Sequence, residues 1–254
     1  MDAFERDIRH HWYIHYPGRH PKWKHRGGGY SVMTVDGHDI HYRHHVDGNI
    51  IVVHGGPRQD YHPCFVLDID PNSRTAVLQT LYKRDNCFDD EYQSSRTVLK
   101  AVYRLAQDYE VSNMEFRDVS VKYCDKREIR LADLSFLTTG ATWYESILPN
   151  LRCTDCEDLE SWRTIVRNAK WRDVGASLID IDIPGVDFDA SGSSMLVLNA
   201  MKKDEGFCGF FAKYMDKLVF RTGIPSLYGR IWSCPIPASG GRRRTRRRHR
   251  RRIP

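Results

Sequence analysis

Nine arginines and no acidic residue lie within the last thirteen positions, RRRTRRRHRRRIP, over residues 242–254. Arg242, Arg243, Arg244, Arg246, Arg247, Arg248, Arg250, Arg251 and Arg252 each carry a planar fork that bonds phosphate oxygens bidentately. The segment has no apolar content from which to build a core, and like charges keep it extended. We expect a disordered tail that binds a polyanion, foremost the nucleic-acid phosphate backbone. No base selectivity follows, since phosphate contacts position without specifying. The competing uses of such a run are nuclear import and attachment to an anionic membrane face.

The remaining chemistry-bearing residues are more scattered. Eleven of the twelve histidines precede residue 63. Their spacing matches no zinc site: in His41, His44 and His45 only alternate positions of a strand share a face. The run HHWYIHYPGRHPKWKHR instead interleaves rings with cations, as nucleic-acid grooves do, or as a packing arm does. Cys153-Thr154-Asp155-Cys156 is half a zinc site, a redox pair or, foremost, a structural loop, and Cys124 and Cys208 are the residues that could complete a metal site in space. Asp180, Asp182, Asp187 and Asp189 could serve a divalent-metal nuclease, although an edge strand with a solvated turn gives the same pattern. The stretch from Thr138 to Thr142 lacks the Gly-Lys-Ser/Thr ending of a phosphate loop. No metal site is expected.

Division of the charge locates the basic character. The whole chain of 254 residues carries +6, but the first 29 residues carry +3 and residues 30–241 carry −6. The body is mildly acidic and both ends are basic. No apolar run approaches the roughly 18–20 residues of a membrane span. The N-terminus lacks the apolar stretch of a signal peptide, so the seven cysteines read as reduced thiols and the protein as intracellular.

These residues need elements to position them. Residues 1–29 have neither period and read as an aromatic, His-rich arm. From residue 30 the pattern is a meander of about five strands, with turns at Asp36-Gly37, Asp47-Gly48 and Pro71-Asn72-Ser73. The period then becomes helical over 94–109, with Val98, Val102, Leu105 and Tyr109 on one face and Ser94 or Ser95 as cap. A strand is expected in 113–121, and a longer helix over 129–148, interrupted near Gly140. Helical patterns follow at 157–172 and 194–220, a strand at 175–183, and turns with one short strand at 223–241. The fold class is mixed α/β. A single folded domain spans 30–239, with an antiparallel meander sheet, helices packed on it, a helical C-terminal extension and the Arg-rich tail at 240–254.

The order meander, helix, strand, helix over about 65–148 resembles the core of the GNAT N-acetyltransferases. In that family the turn before the first of these helices holds the pyrophosphate of acetyl-CoA on backbone N–H groups. A tyrosine on the next helix protonates the departing thiolate. The resemblance implies phosphate contacts from Ser94, Ser95, Arg96 and Thr97, in a turn that here contains no glycine. It implies Tyr144, within Trp143-Tyr144-Glu145, as general acid, and acetyl-CoA as the possible cofactor.

A second resemblance is to uncharacterised proteins of large double-stranded DNA viruses. It rests on ADLSFLTTGATWYE (132–145), on Leu-Tyr-Gly-x-x-Trp (227–232) and on the Arg-rich end after a Gly-rich joint. It implies a virus-encoded, nucleic-acid-associated protein of the host nucleus, a cytoplasmic virus factory or the virion. An acetyl-CoA-dependent N-acyltransferase and a structural virion component are the alternatives.

Overall fold

Alternating apolar residues and tight turns produce five strands in succession: β1 (Ser31–Val35), β2 (His38–Asp47), β3 (Ile50–Gly55), β4 (Phe65–Asp70) and β5 (Thr75–Leu81). The computed structural model describes residues 31–56, 63–81, 87–88, 94–124, 126–175, 178 and 192–237. Asp36 and Gly37 both take positive φ, 52° and 87°, which suits the mirror-image turn joining β1 to β2. The next turn is Gly48-Asn49, one residue later than the sequence suggests, because Asp47 still pairs with Ile50. At the β4–β5 turn the Asp70 carboxylate accepts from the Asn72 N–H at 2.9 Å and the Ser73 hydroxyl at 2.8 Å.

Helix α1 (Ser95–Asp108) follows, capped by Ser94, whose hydroxyl accepts the Thr97 N–H at 3.2 Å. Its buried stripe, including Val98, Leu99, Val102 and Leu105, covers the sheet face that carries Val53, Leu67 and Leu78. The chain then returns as β6 (Asn113–Arg117), parallel to β5. Every other pairing in the large sheet is antiparallel. The order is β1-β2-β3-β4-β5-β6-β10-β9: the last strand, β10 (Ile231–Pro235), lies between β6 and the short edge strand β9 (Arg152–Cys153).

The expected mixed α/β class, with a largely antiparallel sheet and several helices, is what the structure has. Inside that class, the long helix expected over 129–148 is not formed. A separate hairpin, β7 (Val121–Cys124) and β8 (Arg127–Arg130), leads into α2 (Leu131–Thr139), which Gly140 ends at φ 71°. Tyr144 therefore sits on a 3₁₀ turn (Tyr144–Ser146), not on a helix face. A glycine in the left-handed region with a bonded N–H, here to Phe136 C=O, is a helix stop. Helices α3 (Leu159–Asn168), α4 (Trp171–Val174), α5 (Ser194–Lys202) and α6 (Cys208–Thr222) complete the body. Most of the strand expected at 175–183 and the aspartates at 180–189 lie outside the described residues, as do the N-terminal arm and the Arg-rich tail.

The cysteines correct the sequence reading. Six of the seven are paired, as Cys64–Cys87, Cys124–Cys208 and Cys153–Cys156, and only Cys234 is free and buried. Pairs separated by 23 and 84 residues meet only through the tertiary fold, so spacing could not reveal them. Cys124 and Cys208 bond to each other and do not complete a site around the CxxC. The intracellular placement loses the support it drew from reduced thiols.

Candidate functional site

β5 and β6 pair through only three residue couples, Thr75 with Asn113, Ala76 with Met114 and Val77 with Glu115. Both strands run on beyond this, unpaired with each other. Beyond these couples β5 continues against β4 and β6 against β10, at the carboxyl ends of the two parallel strands.

The 3₁₀ turn bridges the first turn of α1 and this end of β6. Arg96, in the first turn of α1, donates to Ser146 C=O at 3.2 Å and to the Ser146 hydroxyl at 3.1 Å. Two residues earlier, Tyr144 packs its ring 4.6 Å from Phe116, the first β6 residue past the pairing, and 5.1 Å from Trp143. Glu145 fixes the turn from the other side, accepting the Thr142 N–H at 2.6 Å and pairing with Arg163. The structure thus brings together two sets of residues that lie fifty positions apart in the sequence.

Three residues of the predicted phosphate turn, Ser94, Arg96 and Thr97, already have partners within the fold. Ser94 caps the helix, Ser95 is buried, and Thr97 donates to Asp36 at 3.3 Å, beside a 2.7 Å contact from Lys100. That lysine contact is the main reason the Asp36 carboxyl sits below its usual pKa.

Beneath Tyr144 lies a polar cluster that the sequence reading did not single out. Asp118 follows directly on β6 and is 1% exposed, as is Tyr144. Asp118 Oδ1 accepts the Ser120 N–H at 3.0 Å and the Ser120 hydroxyl. Burial pushes the Asp118 carboxyl up to about 6, against the opposing pull of Ser120. Burial, with the Asp118 charge beside it, raises the Tyr144 hydroxyl well above its ordinary value. The two groups interact electrostatically, yet among the described residues neither Asp118 Oδ2 nor the Tyr144 hydroxyl completes a hydrogen bond of good geometry. Asp133 lies close enough to raise Asp118 further; it is held by Arg130 at 2.8 Å, the Ser226 hydroxyl at 2.8 Å and the Leu227 N–H at 2.6 Å. Burial raises the Asp133 carboxyl, with Arg130 opposing.

A carboxyl that titrates near 6 beside a phenol can exchange a proton close to neutrality. The same burial withholds it from solvent. One signal in the sequence pointed here: Met114, Phe116, Asp118 and Ser120 share the inward phase of the strand alternation, so Asp118 is a carboxylate in a core position.

On α6 the rings of Phe210 and Tyr214 lie 5.0 Å apart, and Lys213 and Lys217 stand 4.9 and 5.7 Å from the Tyr214 ring. Phe220, further along this helix, is 84% exposed. The histidines of β2 are divided between faces: His44 meets Tyr109 at 6.2 Å, whereas His45 stacks on His54 at 5.3 Å. Burial lowers the His54 imidazole to about 4, with His45 and Arg43 adding to the shift. Among the described residues, Cys153, Asp155 and Cys156 are the group whose donor atoms converge as metal ligands would. No helix among them is long and apolar enough to cross a membrane.

No family model matches the chain, and neither a curated protein nor a solved structure is significantly similar to it.

Proposed function

We propose that the protein is a nucleic-acid-associated protein, virus-encoded and placed in the virion or the nucleus. Its Arg-rich tail supplies affinity for the phosphate backbone, and its folded body is a scaffold of acetyltransferase-like topology. The observation that carries this reading is the charge division: nine arginines without an acid follow a body of −6. A body of that sign adds no nonspecific attraction of its own. The Phe210, Lys213, Tyr214 and Lys217 face of α6 is a local exception that suits base stacking.

The scaffold part of the reading rests on the residues at the carboxyl ends of β5 and β6. Ser94, Arg96 and Thr97 are engaged within the fold, and Tyr144 is closed to solvent. Deletion of residues 242–254 is the test. Binding to duplex DNA at low salt should fall to near background while far-UV circular dichroism is unchanged. For the full chain, affinity should decline by roughly 0.9 decade per phosphate contact for each decade of salt. Full-strength binding by the truncated protein would transfer the role to residues 1–29 and overturn the assignment.

A second reading, an acetyl-CoA-dependent N-acyltransferase, is favoured by one geometric fact. β5 and β6 are parallel, joined by α1, and part after three pairs, as the strands lining the acyl-CoA cleft of that family do. On this reading Ser94, Ser95, Arg96 and Thr97 hold phosphate and Tyr144 delivers a proton. Titration with acetyl-CoA should then raise the melting temperature, and Arg96→Ala should abolish the shift. A flat titration at millimolar ligand would retire the enzyme and leave the scaffold.

A further inference from the structure

Cys153 and Cys156 bracket the turn that follows β9 at the outer edge of the sheet. Their sulfur atoms and a carboxylate oxygen of Asp155 all lie within 4.8 Å of one another, and Asp155 Oδ1 is 3.4 Å from Cys153 Sγ. The turn is held from the β10 side. The Thr154 N–H donates to Ile231 C=O at 2.9 Å, the Ile231 N–H to Asp155 Oδ1 at 2.9 Å, and Arg230 to Asp155 C=O at 2.9 Å. Cys153 is therefore positioned by strand pairing and Asp155 by these hydrogen bonds, in addition to the bond between the sulfurs, and Cys156 follows Asp155 directly. Both cysteines are half-buried and Asp155 is exposed, so the group is open to solvent.

Two sulfurs and one carboxylate oxygen make the donor set of a borderline-soft divalent cation, and three protein ligands plus water is the arrangement of an open zinc site. The surroundings suit a cation better than a thiol nucleophile. Glu157 and Asp158 follow the second cysteine, and carboxylates beside two thiolates call for positive charge. Reactive CxxC pairs draw on the positive end of a helix. Here Asp158 occupies that end of α3 as its own cap, accepting the Ser161 N–H at 2.9 Å.

We propose that in its reduced state this turn binds a zinc-class divalent cation through Cys153 Sγ, Cys156 Sγ and Asp155 Oδ1, with water in the fourth position. A dithiol or phosphine reductant supplies the two electrons that open the Cys153–Cys156 bond, and two protons complete the thiols. Metal binding then expels those two protons as the metal–sulfur bonds form. While Cys153 and Cys156 are bonded to each other, neither sulfur is available as a thiolate ligand.

The full chain, reduced and then freed of reductant, is titrated with Co²⁺ alone as the probe. One equivalent should bind with a thiolate-to-cobalt charge-transfer band and tetrahedral visible absorption, and Zn²⁺ should bleach both. Cys156→Ser should lose the band. Asp155→Asn should weaken binding by at least about tenfold, since even groups outside the ligand set are worth that much. The Cys124→Ser/Cys208→Ser protein should retain the signal. Three results would overturn the site: labelled free thiols at 153 and 156 with no saturable band, a Cys156→Ser protein that titrates as the parent does, or a pair that opens only with loss of the far-UV spectrum.

Discussion

Asp118 is the residue whose chemistry is set most strongly by its surroundings. Its carboxyl is raised to about 6 in the fold, whereas in the unfolded chain it titrates near the ordinary carboxylate value. Between roughly pH 4 and 6 the folded state holds a proton that the unfolded state has released, so this group makes stability fall as pH rises through that window. Asp118→Asn keeps an acceptor for the Ser120 N–H and removes the charge. The variant should lose this slope and be at least as stable as the parent at pH 7 in urea unfolding. Asp118→Ala should be less stable at every pH, because the Ser120 N–H is left without its acceptor, a loss of about 1–3 kcal/mol. His54 acts in the opposite sense: its depressed value costs stability as pH falls from about 6.5 towards 4.

At the scale of elements, close approach governs where the strands and helices sit. A Cβ on Gly55 would lie 1.8 Å from the Phe65 ring, its cross-strand partner. The ring fills the space above β3, so the glycine is required by packing on the core face. Gly55→Ala should lower stability by about 1–3 kcal/mol through overpacking, read as a fall in melting temperature. Adding Phe65→Leu should recover part of that loss, since contacting residues couple. The 3₁₀ turn illustrates the same principle with polar groups: Arg96, Glu145, Thr142 and Arg163 fix its position between α1 and α3. Tyr144 is held there through contacts that its turn makes with α1, β6 and α3.

For the whole molecule the cross-links differ in what they restrain. Closing an 84-residue loop removes about 4.6 kcal/mol of unfolded-chain freedom in the entropic account, against about 1.6 for a loop of three. Cys124→Ser/Cys208→Ser should therefore lower the unfolding midpoint clearly more than Cys153→Ser/Cys156→Ser. A larger loss from the second pair would mean that the CxxC turn is the main staple of the sheet edge. Cys124–Cys208 ties the β7–β8 hairpin to α6, and Cys64–Cys87 ties the start of β4 to the segment after β5. The acidic body is thus cross-linked on several sides, and the tail's charge is appended beyond it.

The sequence by itself determined the local periods and the charge. Strand alternation, the Asp36-Gly37 turn and a serine cap at Ser94 or Ser95 are decided by residues within a few positions of each other, and the meander and α1 were legible for that reason; the structure selects Ser94. The acidic body and its cationic end follow from counting. Only the tertiary structure decided the rest, because the rest depends on residues far apart in the chain. It put a hairpin ahead of α2 and a 3₁₀ turn after the expected break at Gly140, placed β10 between β6 and β9, and paired cysteines 84 residues apart. It also set Arg96 against Ser146 and put Tyr144 over Asp118, a carboxylate in the inward phase of a strand whose proton affinity is raised by burial first and by the Asp133 charge in addition.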